Sequence, residues 1–147
     1  MKKADAERIG RLIATECLSV RVRRLDRVIT RMYDAALARH GLTTAQMNLL
    51  AAIAATGGAR AADLTRVLEV EKSTLSRDLK RMEQLGWVRS RAAAQGRGRT
   101  VTMTESGSRL LVELEDTWKK AQASVEEQLG RRDFARLRTV LPSPLKR

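Results

Sequence analysis

Residues 72 to 85 read Lys-Ser-Thr-Leu-Ser-Arg-Asp-Leu-Lys-Arg-Met-Glu-Gln-Leu. Wound as a helix at about 100° per residue, this stretch puts Leu75, Leu79 and Met82 on one side and Ser73, Ser76, Arg77, Lys80, Arg81 and Gln84 on the other, with Asp78 and Glu83 at the margins. An apolar stripe backed by a row of donors suits the major groove of duplex DNA. There an Arg guanidinium reads guanine bidentately, while Ser and Lys serve phosphates or less specific base contacts. An ordinary solvated helix would mix acids into its outer face, and this one does not.

A second basic set follows at once. Arg89, Arg91, Arg97 and Arg99 occur with no acid between Leu85 and Thr104, and Gly96 and Gly98 flank Arg97. Glycines let a backbone approach a surface closely. A narrow basic tip fits the minor groove, whose negative potential attracts an inserted Arg. Arg97 is the residue expected to enter it.

Other chemistries lack their residues. The single cysteine, Cys17, and the single histidine, His40, cannot build an intrachain disulfide framework, a Cys/His zinc cage or a Ser/His/Asp set beyond His40. No phosphate-binding glycine loop occurs in a strand-turn-helix context. The reading is therefore of a non-enzyme with no metal and no cofactor. Four aromatics, Tyr33, Trp87, Trp118 and Phe134, are too few for a sheet that stacks single-stranded bases. With 29 Lys and Arg against 17 Asp and Glu, the 147-residue chain carries a formal charge of +12, which points to a polyanionic partner. Hydrophobic residues make up 43%, enough for one folded core. The longest apolar run, Leu49 to Ala55, is too short to span a bilayer, and the first residues lead into no signal-type segment, so a cytoplasmic protein is expected.

The elements that must position these residues follow from periodicity. Residues 5 to 39 contain one glycine, Gly10, and predict one long helix, with Leu18, Val22, Leu25, Ile29, Met32 and Ala36 as a seam along another helix. Ile9, Leu12, Ile13, Cys17 and Val20 form a second apolar set, read as a subunit contact. His40 and Gly41 mark the helix stop. Thr43 or Thr44 caps a second helix running to about Thr56, with Leu49, Leu50, Ile53 and Ala54 apolar. Residues 60–68 and 72–85 then give two short helices joined by a three-residue turn, the helix-turn-helix arrangement. Trp87–Arg91 and Thr100–Met103 are rich in β-branched and aromatic residues and predict a β-hairpin with a long basic tip. From Thr104, read as an N-cap, the helical period returns with Leu110, Leu111, Leu114, Trp118, Ala121 and Val125 inward. Phe134, Leu137, Val140 and Leu141 mark a last short helix ended by Pro142-Ser143-Pro144. The fold class expected is mainly α with a small β-hairpin wing.

From about Cys17 to Gly107 the chain resembles the MarR family of transcriptional regulators. The matching stretches are Gly41-Leu42-Thr43-Thr44-Ala45-Gln46, Lys72-Ser73-Thr74-Leu75-Ser76-Arg77, Leu85-Gly86-Trp87-Val88 and Met103-Thr104-Glu105-Ser106-Gly107. The resemblance implies a homodimer built from the N- and C-terminal helices, with winged helix-turn-helix lobes on a pseudopalindromic duplex operator. It also implies repression relieved by a small ligand or an oxidant. The expected organisation is one unit, with residues 42–104 as the DNA-binding lobe and residues 5–40 and 105–141 as dimerisation helices. The major-groove set becomes Lys72, Ser73, Thr74, Ser76, Arg77, Lys80 and Arg81, and the wing set Arg89, Arg91, Arg97 and Arg99.

Two departures from the family pattern stand out. Gln95 replaces the Asp that braces the wing Arg, which predicts a looser wing, and Glu69 stands where the helix-turn-helix turn often has Gly, a cost if the backbone is left-handed there. Met32, Tyr33 and Trp118 are candidates for lining an effector pocket, although apolar residues at helical spacing are usually core. A redox-sensing regulator of the same fold is the first alternative. Alignment places the peroxide-sensing branch's reactive position at Ser19, two residues beyond Cys17, with Tyr33 matching one tyrosine partner and Thr44 replacing the other. Cys17 is thus read first as a packed thiol. The second alternative is a basic protein that binds DNA or acidic partners without regard to sequence.

Overall fold

The computed structural model describes residues 2–141, 143 and 145, so the stop expected at Pro142 and Pro144 lies outside the described residues. The chain begins with α1 (Lys2–Glu16) and α2 (Leu18–Leu37), continued by a single 3₁₀ turn at Ala38–His40. The long helix expected over residues 5 to 39 is therefore two helices. Cys17 adopts an extended backbone, φ −66° and ψ 118°, which interrupts the helical path without a Gly or Pro. Apolar periodicity continues on both sides of such a break, so the pattern alone does not reveal it.

The second part of the chain carries α3 (Thr44–Thr56), β1 (Ala59–Arg60), α4 (Ala61–Leu68) and α5 (Lys72–Gln84). Next come β2 (Val88–Ala92), β3 (Arg99–Met103), α6 (Glu105–Glu113), α7 (Glu115–Leu129) and α8 (Arg131–Val140). Thr43 starts α3 with a full capping box: its hydroxyl accepts the Gln46 N–H, and the Gln46 side chain accepts the Thr43 N–H. Leu37, Leu50, Ile53, Met82, Val101 and Leu114 are sealed at the centre, so α2, α3, α5, the sheet and the α6–α7 junction share one core. Helix α2 packs along α7.

The hairpin is larger than expected by one strand. β1 pairs with β3 through Ala59 opposite Val101 and Arg60 opposite Thr100, and β3 pairs antiparallel with β2, giving the order β1-β3-β2. Two residues carry no alternation that a sequence reading can detect, and their strand character comes from the partner.

Candidate nucleic-acid interface

Helix α5 is held from below by Leu75, Leu79 and Met82, all buried, as its spacing predicts. Its far side is open: Lys72, Ser73, Ser76, Arg77, Lys80 and Arg81 are exposed, and Thr74 is half-buried. The Arg77 guanidinium donates to Thr74 Oγ1 at 3.4 Å, a local contact that biases its direction along the helix. Asp78 is also half-buried, and burial pushes its carboxyl above the ordinary carboxylate value while the neighbouring Arg77 charge pulls it down.

The turn before α5 passes through Glu69, whose φ of 51° and ψ of 41° are left-handed. Among the described residues it is the one non-glycine with positive φ. The cost anticipated from its sequence position is therefore present, because an L side chain is disfavoured in this region. The end of α5 is terminated by Gly86 at φ 76°, where Trp87 N–H reaches the Met82 carbonyl at 2.9 Å and Gly86 N–H reaches Glu83 at 3.0 Å. This six-to-one closure directs the chain out of α5 and into β2.

The wing is fastened to α5 by Glu83. Its Oε1 accepts the Ser90 N–H at 2.7 Å, so the acid at the margin of the basic face serves the backbone of β2. Arg89, Arg91, Arg97 and Arg99 are all exposed. Arg99 donates to the Ser90 carbonyl at 3.1 Å and so braces the hairpin stem. At the tip, Ala93 N–H bonds to the Gly98 carbonyl at 3.0 Å, and the Arg60 guanidinium donates to the Gln95 carbonyl at 2.9 Å. The loose tip expected from Gln95 is thus tied by other groups. Gly96 and Gly98, at φ 80° and 116°, place Arg97 between two left-handed residues at the apex.

The ion pairs of the described residues involve Arg66, Arg109, Lys119, Arg131 and Arg136, and none of them engages a cation of α5 or the wing. The exposed cations of α5 and the wing therefore outnumber the acids beside them, Asp78 and Glu83, and give this face a net positive charge. Thr104 fixes the base of the wing: its hydroxyl donates to the Gly86 carbonyl at 2.5 Å and accepts the Gly107 N–H at 3.0 Å. Sequence reading missed Arg60, Glu83 and Thr104 as struts of this surface. Only the capping position of Thr104 had a local signal.

The link to the flanking helices is polar. Asp34 of α2 accepts both the Thr44 N–H at 2.7 Å and its hydroxyl at 2.6 Å, placing a carboxylate at the N-terminus of α3. The Tyr33 hydroxyl donates to the Gln122 side chain of α7, and burial raises the phenol's affinity for its proton, which keeps it a donor. Arg39 and His40 both meet the buried Thr117 hydroxyl, while His40 Nε2 accepts from Arg39 Nε at 3.1 Å.

Trp118 departs from expectation: it is 41% exposed rather than inward. It borders a cavity of about 440 Å³ between α3, α6 and α7, with Met47, Leu111 and Leu114 in its apolar wall and Asn48 and Glu115 as polar members. Met32 and Tyr33 do not line that space. Cys17 is half-buried at the α1–α2 break, and nearby Arg21 directs its guanidinium to the Thr15 carbonyl at 2.6 Å. Among the described residues no cluster of three or more His, Cys, Asp or Glu forms a metal site, and no helix is long and apolar enough to cross a membrane.

Comparison with known proteins agrees with this geometry. The sequence model of the MarR family matches residues 40–98. The structure of the Mycobacterium tuberculosis transcriptional regulator MosR in complex with DNA is similar at 33% identity and a TM-score of 0.71, over 85% of this chain and 96% of that one. A mutant of Escherichia coli MarR complexed with operator DNA is similar in fold at 20% identity and a TM-score of 0.78, over 92% of this chain and 98% of that one. Bordetella bronchiseptica BpsR, in a structure concerning regulation of DNA binding by 6-hydroxynicotinic acid, matches at 19% identity and a TM-score of 0.67, over 76% of this chain and 82% of that one. Comparison with curated proteins finds no match.

Proposed function

The chain belongs to the MarR family, and on that premise we propose a homodimeric transcriptional regulator, not an enzyme, that reads a pseudopalindromic duplex operator. Each lobe lays α5 in the major groove, with Ser73, Ser76, Arg77, Lys80 and Arg81 facing bases and phosphates and Lys72 and Thr74 at the helix entrance. The wing sets Arg97 into the adjacent minor groove, with Arg89, Arg91 and Arg99 along the backbone. The observation that carries this reading is the row of exposed cations on α5 and the wing, Lys72, Arg77, Lys80, Arg81, Arg89, Arg91, Arg97 and Arg99, with acids only at the margins and the two elements tied by the Glu83–Ser90 bond. Free cations on two rigid elements at a fixed mutual angle suit a grooved polyanion.

Dimerisation is supported by apolar side chains that a single chain leaves in water. Leu18 is 72% exposed, and Ile9, Leu12, Ile13, Val20 and Val22 of α1 and α2, with Val140 and Leu141 at the end of α8, are also exposed. Apolar surface of this extent marks an interface. Residues 5–40 and 105–141 are accordingly assigned to assembly and residues 42–104 to DNA binding, with half-sites about 34 Å apart. Repression relieved by a small ligand is supported by the apolar cavity beside Trp118, which lies between the α3 core of the lobe and the α6–α7 flank.

Sedimentation with fluorescence-anisotropy titration tests the proposal. A dimer is expected, binding duplex in preference to single strands, with affinity falling steeply as salt rises. A monomer, or equal affinity for single strands, would contradict it.

A further inference from the structure

We propose that Arg60 is a positioning residue for the wing tip, its guanidinium fixing the backbone at Gln95 and Gly96 and thereby aiming Arg97. The inference rests on the wing contacting DNA. Arg60 lies in β1, far in sequence from the tip, and is itself anchored to the body of the protein. Its backbone is paired opposite Thr100, and α4, rooted by the buried Leu64, begins at the next residue. The tip has little else to hold it. Beyond the Ala93–Gly98 bond that closes the hairpin, the hydrogen bond from Arg60 to the Gln95 carbonyl, 2.9 Å, is the one side-chain bond made to residues 94–97 among the described residues.

The position of that bond decides what it does. Gln95 and Gly96 immediately precede Arg97, and the two terminal guanidinium nitrogens of Arg60 stand 3.9 and 4.0 Å from where a Cβ of Gly96 would be. The planar group therefore lies against the turn that carries Arg97 while bonding the carbonyl next to it. Gly96 and Gly98 are left-handed and make the apex soft to rotation. A charge-assisted bond to a carbonyl at this point limits that rotation. Because Arg60 holds backbone and not the Arg97 side chain, all five N–H donors of Arg97 stay available to a ligand.

The competing role for Arg60 is a separate phosphate contact, and a double-mutant cycle separates the two. Full-length protein, Arg60→Met, Arg97→Ala and the double variant are titrated with a labelled duplex recovered by selection from a random pool. A strut acting through Arg97 gives about a five-fold affinity loss for Arg60→Met alone and less than about two-fold when Arg97 is already Ala. Additive losses would assign Arg60 to phosphate and overturn the proposal. Amide hydrogen exchange without DNA supplies a readout independent of binding. The Ala93 amide, whose bond to the Gly98 carbonyl closes the tip, is expected to exchange about five-fold faster in Arg60→Met, with partial recovery in Arg60→Lys and unchanged protection in α3. Equal exchange of the Ala93 amide in the parent and Arg60→Met would overturn the strut. If no duplex binds, the interface reading fails by itself, and the exchange result still decides what Arg60 does.

Discussion

Replacing Gly107 with Ala tests the way the wing is joined to the flanking helices. Gly107 is buried in the first turn of α6, where Thr104 accepts its N–H. A Cβ there would stand 2.1 Å from the Trp87 carbonyl oxygen and 2.9 Å from its carbon, both backbone atoms. The helix and strand must part by roughly 1 Å, because side-chain rotation offers no relief, and overpacking of this kind costs about 1–3 kcal/mol. The same movement strains the bonds Thr104 makes to Gly86 and Trp87 and weakens its cap, about 1 kcal/mol more. Helix propensity acts oppositely, favouring Ala over Gly by about 1 kcal/mol. The net expectation is a destabilisation of about 2 kcal/mol, or a Tm lower by about 4–8 °C for a chain of this size. Thermal and urea unfolding of both proteins at one protomer concentration measure it, since dimerisation makes stability concentration-dependent. An unchanged or raised Tm would mean propensity dominates, and would refute the steric argument.

Further outcomes follow from the same geometry. Arg77→Ala is expected to lose about 1–3 kcal/mol on the selected operator and to relax one base position, whereas Arg91→Ala weakens all sequences alike; competition titrations with operator and random duplex distinguish them, and equal loss on both for Arg77→Ala would remove its reading role. For Asp78 the folded carboxyl binds its proton more tightly than the unfolded one, so its contribution turns unfavourable as pH rises through its titration range. Asp78→Asn should therefore raise stability at neutral pH and not at about pH 3, where Asp is protonated in either state, and should tighten binding to every duplex; a gain at both pH values would contradict the assignment. Glu69→Gly relieves a left-handed residue and is expected to add about 0.5–1 kcal/mol in urea unfolding.

The parts of this fold that were legible from sequence were those with local causes. Thr43 or Thr44 marks the start of α3, where the structure makes Thr43 the cap; Leu75, Leu79 and Met82 mark the inner side of α5, and the β-branched runs around the basic tip mark the hairpin. What escaped was decided elsewhere in the chain. The break at Cys17 is one backbone rotation at a residue with no special propensity. β1 exists because β3 lies beside it, and Arg60 reaches a carbonyl 35 residues away. Trp118 falls on the correct helical stripe, yet periodicity specifies a direction and not whether another element covers it. The candidate site followed the same rule. Its exposed donors could be read from spacing, while the long-range bonds of Glu83, Thr104 and Arg60, which hold these elements together, could not, only the cap at Thr104 having a local signal.

Selection of bound duplexes from a random DNA pool, repeated at low and near-physiological salt, tests the central claim most directly. Non-specific electrostatic binding collapses as salt rises, while base reading persists. The account predicts recovery of an inverted repeat with half-site centres one helical turn apart, unchanged between the two salts. Recovery of no motif at either salt would contradict it and reduce the α5 and wing arginines to a sequence-blind cationic surface.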